Sequence, residues 1–203
     1  MPISTPPETD GRDRRIERYR PLARVFHWLT VLLLAAQFPV GLYMVYRGPG
    51  QNIWDATTNT LYSGHKLVGV VILALVVLRL LYRLIASAPA PEPTLTGWHK
   101  AISALNHWSM YLLLVVVPVL GYLAICYFPA LNIFGVFSFP AIVAPDKTMY
   151  EQVIDWHATG AGALAGLVGL HVAAALYHHF IRRDNVLARM LPSSSDYRAE
   201  TPG

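Results

Sequence analysis

Residues His157–Ile181 read HATGAGALAGLVGLHVAAALYHHFI, a 25-residue apolar stretch that contains four histidines and no acidic residue, lysine or arginine. A helix rises about 1.5 Å per residue, so the stretch is long enough to cross the hydrocarbon core of a bilayer, about 30 Å thick. Backbone groups in lipid must pair with one another, which favours a helix. The stretch therefore predicts a transmembrane helix that carries histidines inside the membrane.

Three apolar stretches of similar length precede it, at Val25–Val45, Leu67–Ile85 and Trp108–Phe128. Of the 203 residues, 54% are hydrophobic and only 14% are charged, too few charges for the surface of a soluble domain. The predicted fold is all-α, a four-helix transmembrane bundle whose main partner is the lipid bilayer. We divide the chain into a disordered N-terminal arm (1–24), the bundle (25–181) and a C-terminal tail (182–203).

The distribution of basic residues predicts the orientation of the bundle. Thirteen of the sixteen lie on the side that carries both termini and the connection between the second and third helices, and three lie on the other side. Cytoplasmic loops are rich in lysine and arginine, so both termini are expected in the cytoplasm and the number of spans is even. The fairly apolar segment Pro129–Pro145 is therefore expected to be interfacial, not a fifth span. The net charge of +4 reflects this partition and indicates no nucleic-acid partner.

The cysteine count limits the cofactors that the bundle can hold. Cys126 is the only cysteine, which excludes a disulfide framework, Cys-ligated zinc, an iron–sulfur cluster and covalent haem attachment. The eight histidines are the remaining candidates for metal ligands. A histidine inside a bilayer is costly, so each one within a span is a candidate functional residue, with a packing or interfacial role as the alternative.

Four histidines match in depth across the bundle. His157 and His171 are fourteen residues apart on the fourth span, which is about 21 Å along the helix with a rotation of only about 40°. His65 opens the second span near the outer face, at the level of His157, and His27 opens the first near the cytoplasm, at the level of His171. Imidazole suits iron, and two imidazoles can fill both axial positions of an iron porphyrin. The bundle can therefore hold two b haems, one above the other.

Three further side chains belong near the inner pair. Arg79 lies fourteen residues after His65, at the level where haem propionates need cationic partners; the alternative is that it reaches the cytoplasmic headgroups. His107 could face a propionate or lie at the interface. His178 follows His171 by seven residues on almost the same face, so it could line a neighbouring site, such as one for quinone.

The sequence resembles the bacterial cytochrome b561 family. The resemblance rests on FHWL at 26–29, on WH at 156–157, on GLHVAAALYHH at 169–179 and on DNVLARMLP at 184–192. It implies a bacterial inner-membrane protein with two b haems, ligated at the positions of His27, His65, His157 and His171. The family includes a superoxide oxidase that passes electrons to ubiquinone, so the resemblance implies a possible superoxide:ubiquinone oxidoreductase.

These observations lead to three functional hypotheses. The first is transmembrane electron transfer from an outer donor to membrane quinone, with a small anion such as superoxide or a redox protein as the donor. An anionic donor would be attracted by Lys66, the cation next to His65. The outer segments, however, carry four acidic residues against three basic ones, so the sequence alone shows no positively charged entrance. The second is a b-haem anchor subunit of a larger quinone-linked dehydrogenase or hydrogenase-type complex. The third, metal or proton transport, is disfavoured because none of the predicted spans contains a carboxylate.

Overall fold

Four long helices make up the chain in a computed structural model that describes residues 18–86, 89–90 and 96–191. They are α1 (Pro21–Val45), α2 (Ala56–Ile85), α3 (Gly97–Tyr127) and α4 (Lys147–Tyr177). Short π-helical turns extend α1 through Tyr46–Gly50 and α4 through His178–Arg182. Each helix is long and apolar enough to cross a membrane. The predicted all-α, four-helix membrane bundle is thus confirmed.

Local sequence signals explain where the helices begin. Pro21 occupies the first turn of α1, where its missing N–H is not needed. Asp55 caps α2 by accepting a hydrogen bond from the Thr58 backbone N–H, and Asp146 caps α4 in the same way through Met149. Helix α1 therefore begins four residues before the expected boundary at Val25, and α4 begins ten residues before His157. Hydropathy marks the edge of the apolar stretch, whereas the caps mark the edge of the helix.

The two ends of the bundle differ in structure. At the end that carries both termini, called the terminal end here, the segment after α4 returns to α1: the Tyr19 N–H donates to the Arg189 carbonyl at 3.1 Å, and Trp28 Nε1 donates to Met190 O at 3.0 Å. Of the expected arm and tail, residues 1–17 and 192–203 lie outside the described residues.

At the opposite end, the hairpin end, the α3–α4 connection forms a two-stranded antiparallel hairpin, β1 (Asn132–Ile133) and β2 (Phe137–Ser138). Ile133 is fully buried there, and the Phe134 N–H donates to Ser63 Oγ of α2 at 3.1 Å. The connection contains no fifth span, as the charge distribution predicts.

A small apolar core lies halfway along the bundle. Its buried members come from three helices: Ile72 and Val76 on α2, Tyr111 and Leu114 on α3, and Leu164 on α4. Leu164 is seven residues from His157 and seven from His171. The core is thus a packed layer that separates the two levels at which the histidines lie.

Candidate functional site

Near the hairpin end, His65 on α2 and His157 on α4 face each other across the bundle. Their ring centroids are 6.1 Å apart and the ring planes are inclined by 79°. We call these two residues the hairpin-side pair. They are the histidines that were expected to share the outer level.

Near the terminal end, His27 on α1 and His171 on α4 form a second pair, called the terminal-side pair. Their centroids are 6.2 Å apart and their planes are inclined by 71°. Helix α1 reaches this level because it begins at Pro21, so His27 lies within the helix and not at its first turn.

The spacing of both pairs fits two imidazoles that share one metal ion. Metal–nitrogen bonds of about 2 Å on opposite sides of the metal place the two ring centroids about 6 Å apart. An iron porphyrin requires this arrangement for its two axial nitrogens. Among the described residues, no cluster of three or more His, Cys, Asp or Glu could hold a metal, so a two-histidine site is the arrangement that these pairs offer.

Two glycines make room for the hairpin-side pair. A Cβ on Gly41 would lie 3.0 Å from His65 Cε1, and a Cβ on Gly121 would lie 3.0 Å from both Cε1 and Nδ1 of His157. These distances are shorter than ordinary van der Waals contact, so a larger residue would displace the rings. Sequence reasoning missed both glycines, although each lies on a neighbouring helix at the depth of the pair, which is the signal that could have identified them.

Hydrogen bonds orient the hairpin-side rings unequally. His157 Nδ1 lies 2.8 Å from the Val117 carbonyl, to which it donates, and this leaves Nε2 with a free lone pair for a metal. His65 Nδ1 is buried and has no hydrogen-bond partner among the described residues. The His65 backbone carbonyl accepts from Gln37 Nε2 at 2.8 Å, which ties α2 to α1 at this level.

A large cavity surrounds the hairpin-side pair. It has a volume of about 1440 Å³, above the 300–1,000 Å³ that is typical of small-molecule sites, and its lining is mostly apolar. Its polar lining side chains include Gln37 beside His65 and, toward the hairpin end, Asn59, Lys66, Tyr150 and Asp155. A flat apolar cofactor with a polar edge suits such a cavity.

The terminal-side pair is surrounded by polar groups from two other helices. Arg79 Nη2 lies 3.3 Å from His27 Nδ1, and its guanidinium lies 5.5 Å from the centre of the Tyr111 ring. The His107 ring centroid is 5.0 Å from that of His171, and His107 Nδ1 bonds to the Ser103 carbonyl at 2.6 Å. Arg79 and His107 thus both lie beside the terminal-side pair.

The remaining two candidate residues, His178 and Lys66, form hydrogen bonds away from the histidine pairs. His178 Nδ1 lies 2.6 Å from Asp184 Oδ2, beyond the terminal-side pair. Lys66 donates from Nζ to the carbonyls of Ala130 and Asn132, at 2.8 and 2.6 Å, and so holds the start of the hairpin segment against α2.

The other two cations of the hairpin end also have partners. Arg47 forms an ion pair with Asp55 at 2.6 Å, and Lys147 forms one with Glu151 at 3.7 Å. The hairpin end therefore has no cluster of cations without partners among the described residues.

Comparison with known proteins gives consistent matches over almost the whole chain. The family model described as prokaryotic cytochrome b561 matches residues 18–193. Cytochrome b561 homolog 2 of Escherichia coli (strain K12) is 32% identical over 183 residues, 89% of this chain and 95% of the relative. Cytochrome b561 homolog 1 of the same organism is 25% identical, over 87% and 98% of the two chains. A protein of Yersinia pestis named probable superoxide oxidase CybB is 28% identical, over 87% and 97%.

Proposed function

This chain belongs to the prokaryotic cytochrome b561 family of membrane electron-transfer proteins, and we propose that it holds two b haems and passes electrons from a donor at the hairpin end to ubiquinone at the terminal end. The observation that carries this proposal is the spacing of the two histidine pairs, 6.1 and 6.2 Å between ring centroids, at two levels of one bundle. A packed apolar layer separates the levels, so each pair serves its own site.

The residues that would hold the haems are His65 and His157 at one level and His27 and His171 at the other. A b haem held between two imidazoles would supply a one-electron carrier that favours electron transfer over oxygen binding. The Val117 carbonyl fixes the His157 ring by accepting from its Nδ1, and Gly121 gives that ring its space.

Arg79 and His107 would bind the propionates at the terminal-side level. Arginine is always a donor, so its contact with His27 Nδ1 places the ring proton of His27 on Nε2. A histidine that binds a metal through Nε2 carries its proton on Nδ1. In that state, His27 Nδ1 could no longer accept a hydrogen bond from Arg79. If His27 bound a metal through Nε2, Arg79 would lose this contact, and a carboxylate would be a suitable partner for its guanidinium.

The orientation follows from the thirteen basic residues on the side of both termini against three on the other. The terminal end would face the cytoplasm of a bacterium and the hairpin end the outside of its inner membrane. Electrons from an outer donor would thus enter at His65 and His157 and leave near His178, which would line the quinone site.

Superoxide is the leading candidate for the donor, since a relative at 28% identity is named a probable superoxide oxidase. Lys66 is the residue that would attract this anion and so take part in catalysis. Two of its three N–H groups donate to carbonyls, but these bonds leave its positive charge in place, next to His65 and on the cavity wall.

Purified protein in lipid discs, mixed with superoxide and a short-chain ubiquinone in a stopped-flow instrument, tests this function. Two low-spin b haems per chain, reduced by superoxide and reoxidised by the quinone, are expected. Lys66→Gln should lower the superoxide rate severalfold and weaken its dependence on ionic strength, because a nearby cation steers an anion. Lys147→Gln is the matched control, since Lys147 also lies at the hairpin end but its side chain is 88% exposed.

Protein that contains two haems but shows no reaction with superoxide would exclude this donor. A stable dehydrogenase that co-purifies with such a protein would favour the alternative, a b-haem anchor subunit of a larger complex. Protein without haem absorbance would overturn both.

A further inference from the structure

The chain reverses direction directly after α4 and brings a carboxylate back to His178. Arg183 has a φ of +54°, in the left-handed region that residues other than glycine rarely adopt. This turn lets the Asp184 N–H donate to the His178 carbonyl at 3.2 Å and places Asp184 Oδ2 at 2.6 Å from His178 Nδ1.

The two side chains are shielded from solvent and bonded closely. Asp184 is only 6% exposed and His178 15% exposed. A buried carboxylate is costly unless it is paired, and both oxygens of Asp184 have partners. Oδ2 also lies 3.4 Å from Arg182 Nε, and Oδ1 accepts a hydrogen bond from the Val186 N–H at 3.2 Å. The carboxylate thus holds the Nδ1–H of His178 and leaves Nε2 as the ring nitrogen that is not bound to Asp184.

We propose, resting on the proposed function, that Asp184 is the positioning residue that makes His178 the proton donor to quinone. A quinone that becomes a quinol gains two electrons and two protons, one on each carbonyl oxygen. The electrons come from two equivalents of the one-electron donor at the hairpin end, each oxidised once. One proton passes from His178 Nε2 to the nearer quinone oxygen, and the other reaches the opposite oxygen from the solvent at the terminal end. The imidazole, held by Asp184 at Nδ1, then takes up a new proton from the same solvent.

A purely structural role for Asp184 predicts a different response to substitution. If the carboxylate only stabilises the turn after α4, asparagine should replace it, because its amide oxygen can accept the Val186 N–H equally well. The negative charge that accepts the hydrogen bond from His178 Nδ1 is what asparagine lacks. Asp184→Asn and Asp184→Glu therefore separate the two roles.

The experiment uses the haem-loaded protein in lipid discs, reduced with dithionite, freed of excess reductant by anaerobic gel filtration and then mixed with a short-chain ubiquinone. Asp184→Asn should slow haem reoxidation by about tenfold or more, the usual contribution of a positioned proton donor. Haem content, the visible spectrum and the KM for quinone should stay unchanged, and Asp184→Glu should recover most of the rate. Asp146→Asn, which alters the carboxylate that caps α4 at the hairpin end, is the matched control and should reoxidise normally.

A second variant keeps the inference testable if Asp184→Asn disturbs the haem spectrum. His178→Gln should show the same slow reoxidation, and the double variant should be no slower than the slower single one, because the two residues act as a unit. Wild-type protein that quinone fails to reoxidise overturns the proposed function. Wild-type protein that reoxidises, with Asp184→Asn equally fast, or additive effects in the double variant, overturns the role of Asp184 alone.

Discussion

The two histidine pairs have nearly the same geometry and very different surroundings. Their centroid distances differ by only 0.1 Å, 6.1 against 6.2 Å. The hairpin-side pair contacts glycines and a backbone carbonyl, whereas the terminal-side pair contacts a guanidinium and a third imidazole. The helices therefore fix the spacing of the two histidine pairs, while the neighbouring side chains distinguish their surroundings.

That difference implies a direction of electron flow. A positive charge near a redox group stabilises the state with one more electron, and hydrogen bonds and net charge tune haem potentials. Arg79 adds a positive charge at the terminal-side pair, whereas Lys66 and Asp155, which have opposite charges, both line the cavity at the hairpin-side pair. We expect the terminal-side site to have the higher potential, so electrons move from the hairpin end toward the terminal end.

Removing one ligand from each pair should have the largest effect. His171→Ala and His157→Ala should each reduce the haem content from two per chain to one, because a single imidazole cannot fill both axial positions. Pyridine haemochrome analysis of the purified variants measures this. His99→Ala is the control: His99 stacks on Trp98 and bonds to Thr96, so two haems should remain.

Two haems retained in His171→Ala would show that the terminal-side pair is not the ligand set. Loss of both haems in each variant would show that the two sites do not bind haem independently. It would contradict the separating role of the layer that contains Ile72, Val76 and Leu164.

The fold and the pairing of the four histidines in space could be predicted from the sequence because both depend on one-dimensional patterns. Apolar length predicts spans, the basic residues predict their direction, and a fourteen-residue interval predicts depth and face. Contacts between helices were not predictable in this way, since hydropathy does not fix the rotation of α1 and α3 against their neighbours. Gly41, Gly121 and the Val117 carbonyl were therefore missed.

Local reversals of the backbone could not be predicted from the sequence pattern either. Asp184 reaches His178 only because Arg183 adopts a positive φ, and arginine gives no sign of that conformation. The hairpin at 132–138 likewise depends on long-range bonds, from Lys66 to two carbonyls and from Phe134 to Ser63. Such segments are set by tertiary contacts and not by propensity.

Adding one methyl group beside the hairpin-side pair should have a smaller effect than removing a histidine, and it should affect that pair alone. Gly121→Ala places a Cβ at 3.0 Å from the His157 ring, so the ring must shift and haem binding at the hairpin-side pair should weaken by about tenfold. Titration of the apoprotein with haemin measures the two affinities. Gly169→Ala is the matched control: its Cβ would meet nothing within 4 Å, although it lies two residues before His171. Equal effects of the two substitutions would contradict the steric role of Gly121.

Removing a charge should change one potential without changing haem content. Arg79→Gln should lower the midpoint potential of the terminal-side haem and leave the hairpin-side haem unchanged, because the guanidinium faces only the terminal-side pair. A spectroscopic redox titration of the purified protein resolves the two potentials, and Arg79→Lys should restore part of the difference. A shift of both potentials, or of neither, would remove the electrostatic basis for the inferred direction.

The smallest effect concerns the ion pair that anchors the hairpin end. The Asp55 pKa is lowered to about 2, first by the hydrogen bond from the Thr58 backbone N–H and then by Arg47. Because the folded pKa lies below the ordinary value of about 4, the stabilisation is fully present above pH 4 and is lost as the pH falls through 2. Arg47→Gln should raise the midpoint only part of the way, since the Thr58 bond remains.

A carboxyl ¹³C NMR titration of Asp55 measures that midpoint, with Lys147→Gln as the control that should leave it unchanged. The effect on stability should be small because Asp55 is exposed and its charges are screened by water. A wild-type midpoint near 4 would mean that the Asp55 interactions with Thr58 and Arg47 are weak in solution. The hairpin end would then depend on Lys66 and its two carbonyl partners, whereas the terminal end is held by backbone bonds from the segment that follows α4.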